Sequence, residues 1–126
     1  MSHLTSMETS FQRLTYLEKA LKKLNISYNR KQLQEKHTTD PVQIHLIIPQ
    51  SNKYDLEFAW NGNSYELVGD LSFWAQPYPV DTFLEKVTHQ YAMESLVGES
   101  QKRGFQVIES EKNAEGITTL QLDRWN

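Results

Sequence analysis

The side chains that could do chemistry are few and scattered. The four histidines, His3, His37, His45 and His89, are never three to five residues apart, so no local chelate forms. A site assembled in space from His3, His89 and a carboxylate stays open. His45 falls opposite the apolar row of its segment, which predicts exposure. Neighbouring acids occur as Asp55 with Glu57, Glu66 near Asp70, and Glu109 with Glu111. Such pairs can act as general acid and base when burial raises one pKa. Here they alternate with apolar residues, which predicts solvated carboxylates of ordinary acidity. With no cysteine there is no thiolate nucleophile, no disulfide and no Cys-based zinc or iron–sulfur site. The five glycines form no phosphate cradle and no nucleophile elbow. We therefore expect no catalytic residue, bound metal or cofactor.

Two other groups of residues suggest binding. Phe73, Trp74 and Tyr78 fall in one proline-containing stretch, Leu71 to Pro79. They are either a lid over one end of the fold or an anchor for a partner, because Trp and Tyr are enriched at interaction hot spots. Met93, on the helix that follows, is a candidate to join that surface. The second group is basic: Arg13, Lys19, Lys22 and Lys23, with Arg30, Lys31 and Lys36 beyond. A solvated helix face is the plain account of it; an acidic partner or RNA is the functional one. The net charge of −3 and the lack of interleaved aromatics argue against nucleic acid.

These residues need a scaffold, and 126 residues is the size of one domain. Such a chain buries roughly two-thirds of its unfolded surface and needs no staple. We expect a single soluble domain over residues 1–126. No apolar run is long enough to span a membrane, and Met1-Ser2-His3-Leu4 resembles neither a signal peptide nor a transit peptide. The elements follow closely. Residues 3–8 suggest a short strand. Thr9 and Gln12 fit a capping box ahead of a helix with the stripe Phe11, Leu14, Leu17, Leu21 and Leu24, ending at Asn25. Extended segments follow at 26–34, 42–48, 54–60 and 65–70.

The hairpin across Asn61-Gly62-Asn63-Ser64 has two candidate registers. Turning on Asn61-Gly62 would set Glu57 against Glu66. Turning on Gly62-Asn63 pairs Trp60 with Tyr65, Phe58 with Leu67 and Glu57 with Val68, and we favour it. Asp81 should cap a long helix ending near Arg103, with Gly104 beyond it. Its stripe is Leu84, Val87 and Tyr91, with Met93, Leu96 and Val97 widening the apolar girdle. A second hairpin joins 105–109 to 117–123. The order β-α-β-β-β-β-α-β-β predicts an α+β fold: a mostly antiparallel sheet with two helices packed on one face.

Met1-Ser2-His3, the leucine-striped helix, Tyr65-Glu66-Leu67-Val68-Gly69-Asp70, Trp74, Gln90-Tyr91-Ala92, Gly104-Phe105-Gln106-Val107 and Arg124-Trp125 occur in this order and spacing. Together they resemble the hypothetical chloroplast open reading frame thirty-five family, a domain of unknown function in cyanobacteria and red-lineage plastids. The resemblance covers essentially the whole chain. It implies a protein of the plastid stroma or cyanobacterial cytoplasm that assists assembly or maintenance of a photosynthetic complex through a protein partner, without catalysis. It supplies no catalytic residues. Gly69, where related chains often carry alanine, and Pro77-Tyr78-Pro79 depart from the pattern. The competing account is a small-molecule-binding or enzymatic domain with its site between helices and sheet.

Overall fold

The computed structural model describes residues 4–33, 43–115 and 117–124. The chain falls into two compact units, Met1–Tyr91 and Ala92–Asn126. The first contains strands β1 (Thr5–Met7), β2 (Asn29–Leu33), β3 (Gln43–Ile48), β4 (Leu56–Trp60) and β5 (Tyr65–Gly69), and helix α1 (Leu14–Lys23). Helix α2 (Val80–Lys102) begins there and ends in the second unit, where β6 (Phe105–Lys112) and β7 (Thr118–Arg124) follow. The α+β class and the order of elements are as the sequence predicts. The strands form not one sheet but two: a five-stranded antiparallel sheet in the order β1-β5-β4-β3-β2, and a separate pair, β6-β7.

Alternation along β3, β4 and β5 points Leu46, Ile48, Leu56, Phe58, Tyr65 and Leu67 to one side. Phe11, Leu17 and Leu21 from the α1 region, and Phe83 and Val87 from α2, complete the same buried cluster. Both helices thus cover one face, as expected. The α2 stripe is offset from its predicted position. Phe83 and Val87 are buried while Leu84 and Tyr91 are only partly so. Helix α2 begins at Val80, with the Pro79 carbonyl accepting from the Phe83 amide at 2.9 Å, so Asp81 lies inside the first turn rather than at the cap.

Between β4 and β5 the register is Glu57 with Val68, Phe58 with Leu67 and Trp60 with Tyr65, which is the favoured pairing. The connection is a four-residue loop. The Asn61 carboxamide oxygen accepts from the amides of Asn63 and Ser64, and Gly62 takes a φ of 99°. Helix α1 stops as predicted at Asn25. Its φ of 59° allows Asn25 N–H to reach Lys22 O and Ile26 N–H to reach Leu21 O, a Schellman closure.

The start of α1 differs from expectation. Thr9 accepts from the Phe11 amide at 3.1 Å and donates to the Tyr65 carbonyl, so it ties the chain to β5 instead of capping. The N-cap residue is Arg13, which makes no side-chain capping bond. The Tyr91 hydroxyl accepts from the amides of Gln12 and Arg13 at 3.1 and 3.0 Å and does the capping from α2.

In the second unit, Gly104 adopts a φ of 87° just past α2, as its position at the helix end requires. The β6-β7 hairpin closes at Asn113, whose side-chain oxygen accepts from Glu115 and Ile117 amides. A bulge interrupts β6 between Val107 and Glu109. Among the described residues of this unit only Ser100 is buried. Met93, Val97, Phe105, Val107, Leu120 and Leu122 are half-buried, and Leu96 and Ile117 are exposed.

Candidate functional site

The most built-up surface of the first unit is the segment between β5 and α2. Its organiser is Gln50, a buried glutamine just past the end of β3. The Gln50 backbone amide donates to Asp55 Oδ1 at 3.0 Å, and its Nε2 donates to the carbonyls of Tyr54 and Phe73 at 2.6 and 3.2 Å. Its Oε1 accepts from the Ala75 amide at 2.9 Å and Gln76 Nε2 at 3.0 Å. Asn52 Nδ2 adds a second bond to the Phe73 carbonyl at 2.8 Å. One buried amide side chain therefore pins a loop whose own backbone has few internal partners. At the loop's start, Asp70 accepts from the Ser72 amide and caps a single 3₁₀ turn, Leu71–Phe73.

The loop's three aromatics have different fates. Trp74 is half-buried, meets Phe83 edge to face at 5.2 Å, and donates its indole N–H to the Tyr78 carbonyl at 2.6 Å. It closes one end of the core. Phe73 keeps 39% of its surface and Tyr78 keeps 44%. Phe73 stacks face to face on Tyr54, itself 44% exposed, with ring centres 3.8 Å apart and planes 5° from parallel. Alternation along 54–60 would place Tyr54 on the core face. The strand starts only at Leu56, and Tyr54 lies outside it. Lys86 Nζ sits 4.7 Å from the centre of the Tyr78 ring. Beside these rings is a groove of about 470 Å³ with Leu24, Ile26, Ile48 and Phe83 among its apolar walls and Lys86 as its single charged residue. Met93, the fourth predicted contact residue, belongs to the second unit and is half-buried.

A second polar cluster ties α1 to β2. Glu18 is 7% exposed and accepts from Tyr28 OH at 2.8 Å, Arg30 Nε at 3.0 Å and a terminal Arg30 nitrogen at 2.7 Å. Burial pushes its carboxyl up, but the bonds from Arg30 and Tyr28 outweigh burial and hold it below 4.5. Burial, then the Glu18 bond and charge, push the Tyr28 phenol up to about 12. Every oxygen of the carboxylate is engaged, so this is a strut and offers no free acid or base. Arg30 is thereby committed to Glu18. Arg13, Lys19, Lys22, Lys23 and Lys31 are exposed, as a solvated face requires, and Lys36 lies outside the described residues.

Two carboxylate and histidine expectations need correcting. His45 is not exposed. It is 7% accessible, with Nδ1 at 3.0 Å from Glu57 Oε1, its diagonal neighbour across β3 and β4, while Nε2 is buried without a hydrogen-bond partner. Asp70 is likewise buried, because its carboxylate caps the 3₁₀ turn. Of the other histidines, His89 is exposed, and His3 and His37 lie outside the described residues. Among the described residues no three His, Asp or Glu side chains converge as metal ligands, and no helix is long and apolar enough to cross a membrane.

This geometry presents exposed aromatic rings on a loop bonded to Gln50. The family described as "Protein of unknown function (DUF1257)" matches residues 20–121. The chain belongs to this family. The relatives agree with the resemblance drawn from the landmarks. "Uncharacterized protein ycf35" of Trieres chinensis is 46% identical over 121 residues, 94% of each chain. Its namesake in Guillardia theta is 36% identical over 126 residues, covering 99% of this chain and 98% of the relative, and that of Cyanophora paradoxa is 35% identical over 130 residues, with the same coverage. Their shared name denotes a hypothetical chloroplast reading frame. No solved structure matches. The family match begins just past Glu18 and covers its partners Tyr28 and Arg30, the Gln50 hub and the aromatic loop.

Sequence reasoning found the aromatic loop but not the residues that make it a surface. Gln50 and Lys86 carry no local signature, and their partners include residues far along the chain: Phe73, Ala75 and Gln76 for Gln50, and Tyr78 for Lys86. The Pro49-Gln50 step at the end of an alternating strand was the only hint.

Proposed function

We propose that this protein is a non-catalytic accessory factor of plastids and cyanobacteria that acts by binding a protein partner at the surface formed by Tyr54, Phe73 and Tyr78. In this reading it works in the stroma or cyanobacterial cytoplasm and assists assembly or maintenance of a photosynthetic complex, in keeping with relatives named for chloroplast reading frames. The observation that carries it is the exposed Tyr54–Phe73 stack on a loop pinned through Gln50. Exposed aromatics cost solvation in the free protein, and a loop already held in place loses little entropy on binding. The adjoining groove suits an apolar side chain, and Lys86 at its wall suits a carboxylate beside that side chain. Trp74 is the support of this surface more than its contact. Met93 stays a candidate contact residue.

The test is a double variant, Phe73→Ala with Tyr78→Ala, set beside Trp74→Ala. The partner retained by the wild-type chain from native plastid extract is identified and its affinity measured directly. The double variant should lose at least about 1 kcal/mol of affinity, the scale of an interface anchor, at nearly unchanged melting temperature. Trp74→Ala should lose stability as well. A double variant that binds as the wild type does would refute the reading.

A second reading draws on the groove alone: its volume lies in the range of small-molecule sites, roughly 300–1,000 Å³. Medium-chain fatty acids, amphiphiles with one carboxylate, are the appropriate probes in a thermal-shift assay. Saturable stabilisation that is lost in Lys86→Glu would favour this reading over partner binding.

A further inference from the structure

The second unit presents an unfinished sheet. Strands β6 and β7 pair with each other and, among the described residues, with no third strand. A lone two-stranded hairpin is marginal in water, and it gains independent stability from further strands with an apolar face or from packing against a helix. One side of β7 is half-buried, through Thr118, Leu120 and Leu122, with Val107 paired to Leu122, and no apolar side chain described in this unit is fully buried. Neither outer edge of the pair has a strand partner among the described residues.

The two edges differ in how well they resist it. Along β6 the bulge between Val107 and Glu109 breaks the run of bonding groups, and Glu111 places a negative charge on it. Bulges and charges are the devices that blunt an edge strand. Along β7 there is no bulge, and the five residues Thr118, Thr119, Leu120, Gln121 and Leu122 are uncharged.

We propose that β7 is a self-association edge, and that two copies of this chain pair antiparallel through it to form a four-stranded sheet. The register follows from charge and pattern. Centred on Gln121, the pairing sets Gln121 against its own copy, Leu120 against Leu122, Thr119 against Asp123 and Thr118 against Arg124. No like charges meet, and the leucines of both copies fall on one face. Centring on Asp123 would oppose two carboxylates, and centring on Leu122 would set Leu120 against Arg124. Like charges directly opposite destabilise a strand pair, and among the β7 centrings that avoid them Gln121, the midpoint of Thr118–Arg124, is the one that pairs the whole strand. The occupant is thus a second copy, because the edge is complementary to itself.

Gln121 is exposed and sits at the proposed two-fold axis, which makes the register testable. Sedimentation equilibrium of the wild-type chain should show monomer converting to dimer as concentration rises. Gln121→Lys sets two ammonium groups against each other and should raise the dimer dissociation constant about threefold or more. Gln121→Glu should do the same. Within the hairpin Gln121 pairs with Glu109, so the Glu variant is also checked for an intact fold by circular dichroism, whereas the Lys variant carries no such conflict. An equimolar mixture of the two variants should dimerise at least as well as the wild type, because each axis then joins opposite charges. A wild-type chain that stays monomeric overturns the proposal. So does a dimer indifferent to both substitutions, or a mixture no tighter than either variant alone.

Discussion

The five-stranded sheet and the terminal hairpin use the same antiparallel pairing, yet among the described residues one has a fully buried apolar core and the other does not. In the first unit, alternation on β3, β4 and β5 meets two apolar helix stripes, and Phe11, Leu17, Leu46 and Phe58 reach zero exposure. In the second, alternation on β7 is just as regular, but Leu120 and Leu122 stop at half-burial. Period-two patterning therefore selects a face without guaranteeing that something covers it. What converts a pattern into stability is the matching apolar surface opposite, at roughly 25 cal/mol per Å² removed from water.

Truncations on the two faces should measure this difference directly. Phe58→Ala removes a fully buried ring that meets Phe11 edge to face at 6.0 Å, and should cost about 3–5 kcal/mol in denaturant unfolding. Leu122→Ala should cost under about 1 kcal/mol, since a half-buried side chain has less surface to lose. Equal costs would mean that the second unit has a core after all. Amide exchange offers an independent check: protection should be high along β3, β4 and β5 and low along β6 and β7.

Next in size is the Glu18 strut of the first unit. Glu18→Ala leaves Arg30 and the Tyr28 hydroxyl without their shared acceptor and should cost about 1–3 kcal/mol. The strut also fixes a pH dependence. The folded carboxyl lies below 4.5, so its contribution is complete above the ordinary carboxylate range and fades as pH falls through the lowered folded value. Tyr28 acts at the other end. Its phenol rises from 10.0 to about 12, so its contribution is full below pH 10 and is lost as pH climbs toward 12. Stability measured across pH should show the acid loss diminished in Glu18→Gln and the alkaline loss diminished in Tyr28→Phe. Unchanged profiles would show that the network is decorative.

What could be read from the sequence divides along the same physical line. The Trp60–Tyr65 register was legible because opposing Glu57 to Glu66 is a local conflict between residues on one hairpin. The ends of both helices were legible because Asn25 and Gly104 solve a backbone problem on the spot. The misreadings involve distant partners. Thr9 carries a capping signature, but the Tyr65 carbonyl takes its hydroxyl. His45 is buried because Glu57 reaches it from the next strand. Tyr54 continues an alternation, yet the turn held by Gln50 delivers it to Phe73 instead. At the candidate site, the exposed aromatics could be guessed from composition. The hub that stiffens them could not.

Gly69 sharpens the contrast at a smaller scale, inside the well-packed unit. A methyl placed there would meet a Leu56 methyl at 2.6 Å, and Leu56 is 1% exposed. Gly69→Ala must therefore displace a core side chain, and overpacking of this kind costs about 1–3 kcal/mol, toward the lower end where one rotamer can give way. Pairing it with Leu56→Val should yield a combined loss smaller than the sum of the single losses, because the smaller side chain admits the added methyl. Strict additivity would mean that the two positions do not touch.

The smallest expected effect belongs to Tyr91, the last residue of the first unit. Its ring packs on Phe11 at 4.8 Å and near Tyr16 at 6.2 Å, while its hydroxyl accepts from the Gln12 and Arg13 amides. The Arg13 amide is the first of the orphan donors at the start of α1, which a local side chain usually satisfies, and the Gln12 amide lies just ahead of it. Here Arg13 makes no such bond, and the acceptor comes from α2 instead. Tyr91→Phe keeps the ring and deletes only that acceptor. Both amides are exposed enough for water to replace it, so the cost should sit near the low end of a lost cap, about 0.5–1 kcal/mol. Exchange of the amides at 12 and 13 should accelerate while those of β4 and β5 keep their protection. Faster exchange throughout the sheet would instead show that the hydroxyl holds α2 to the core, and that this single bond matters to the whole unit.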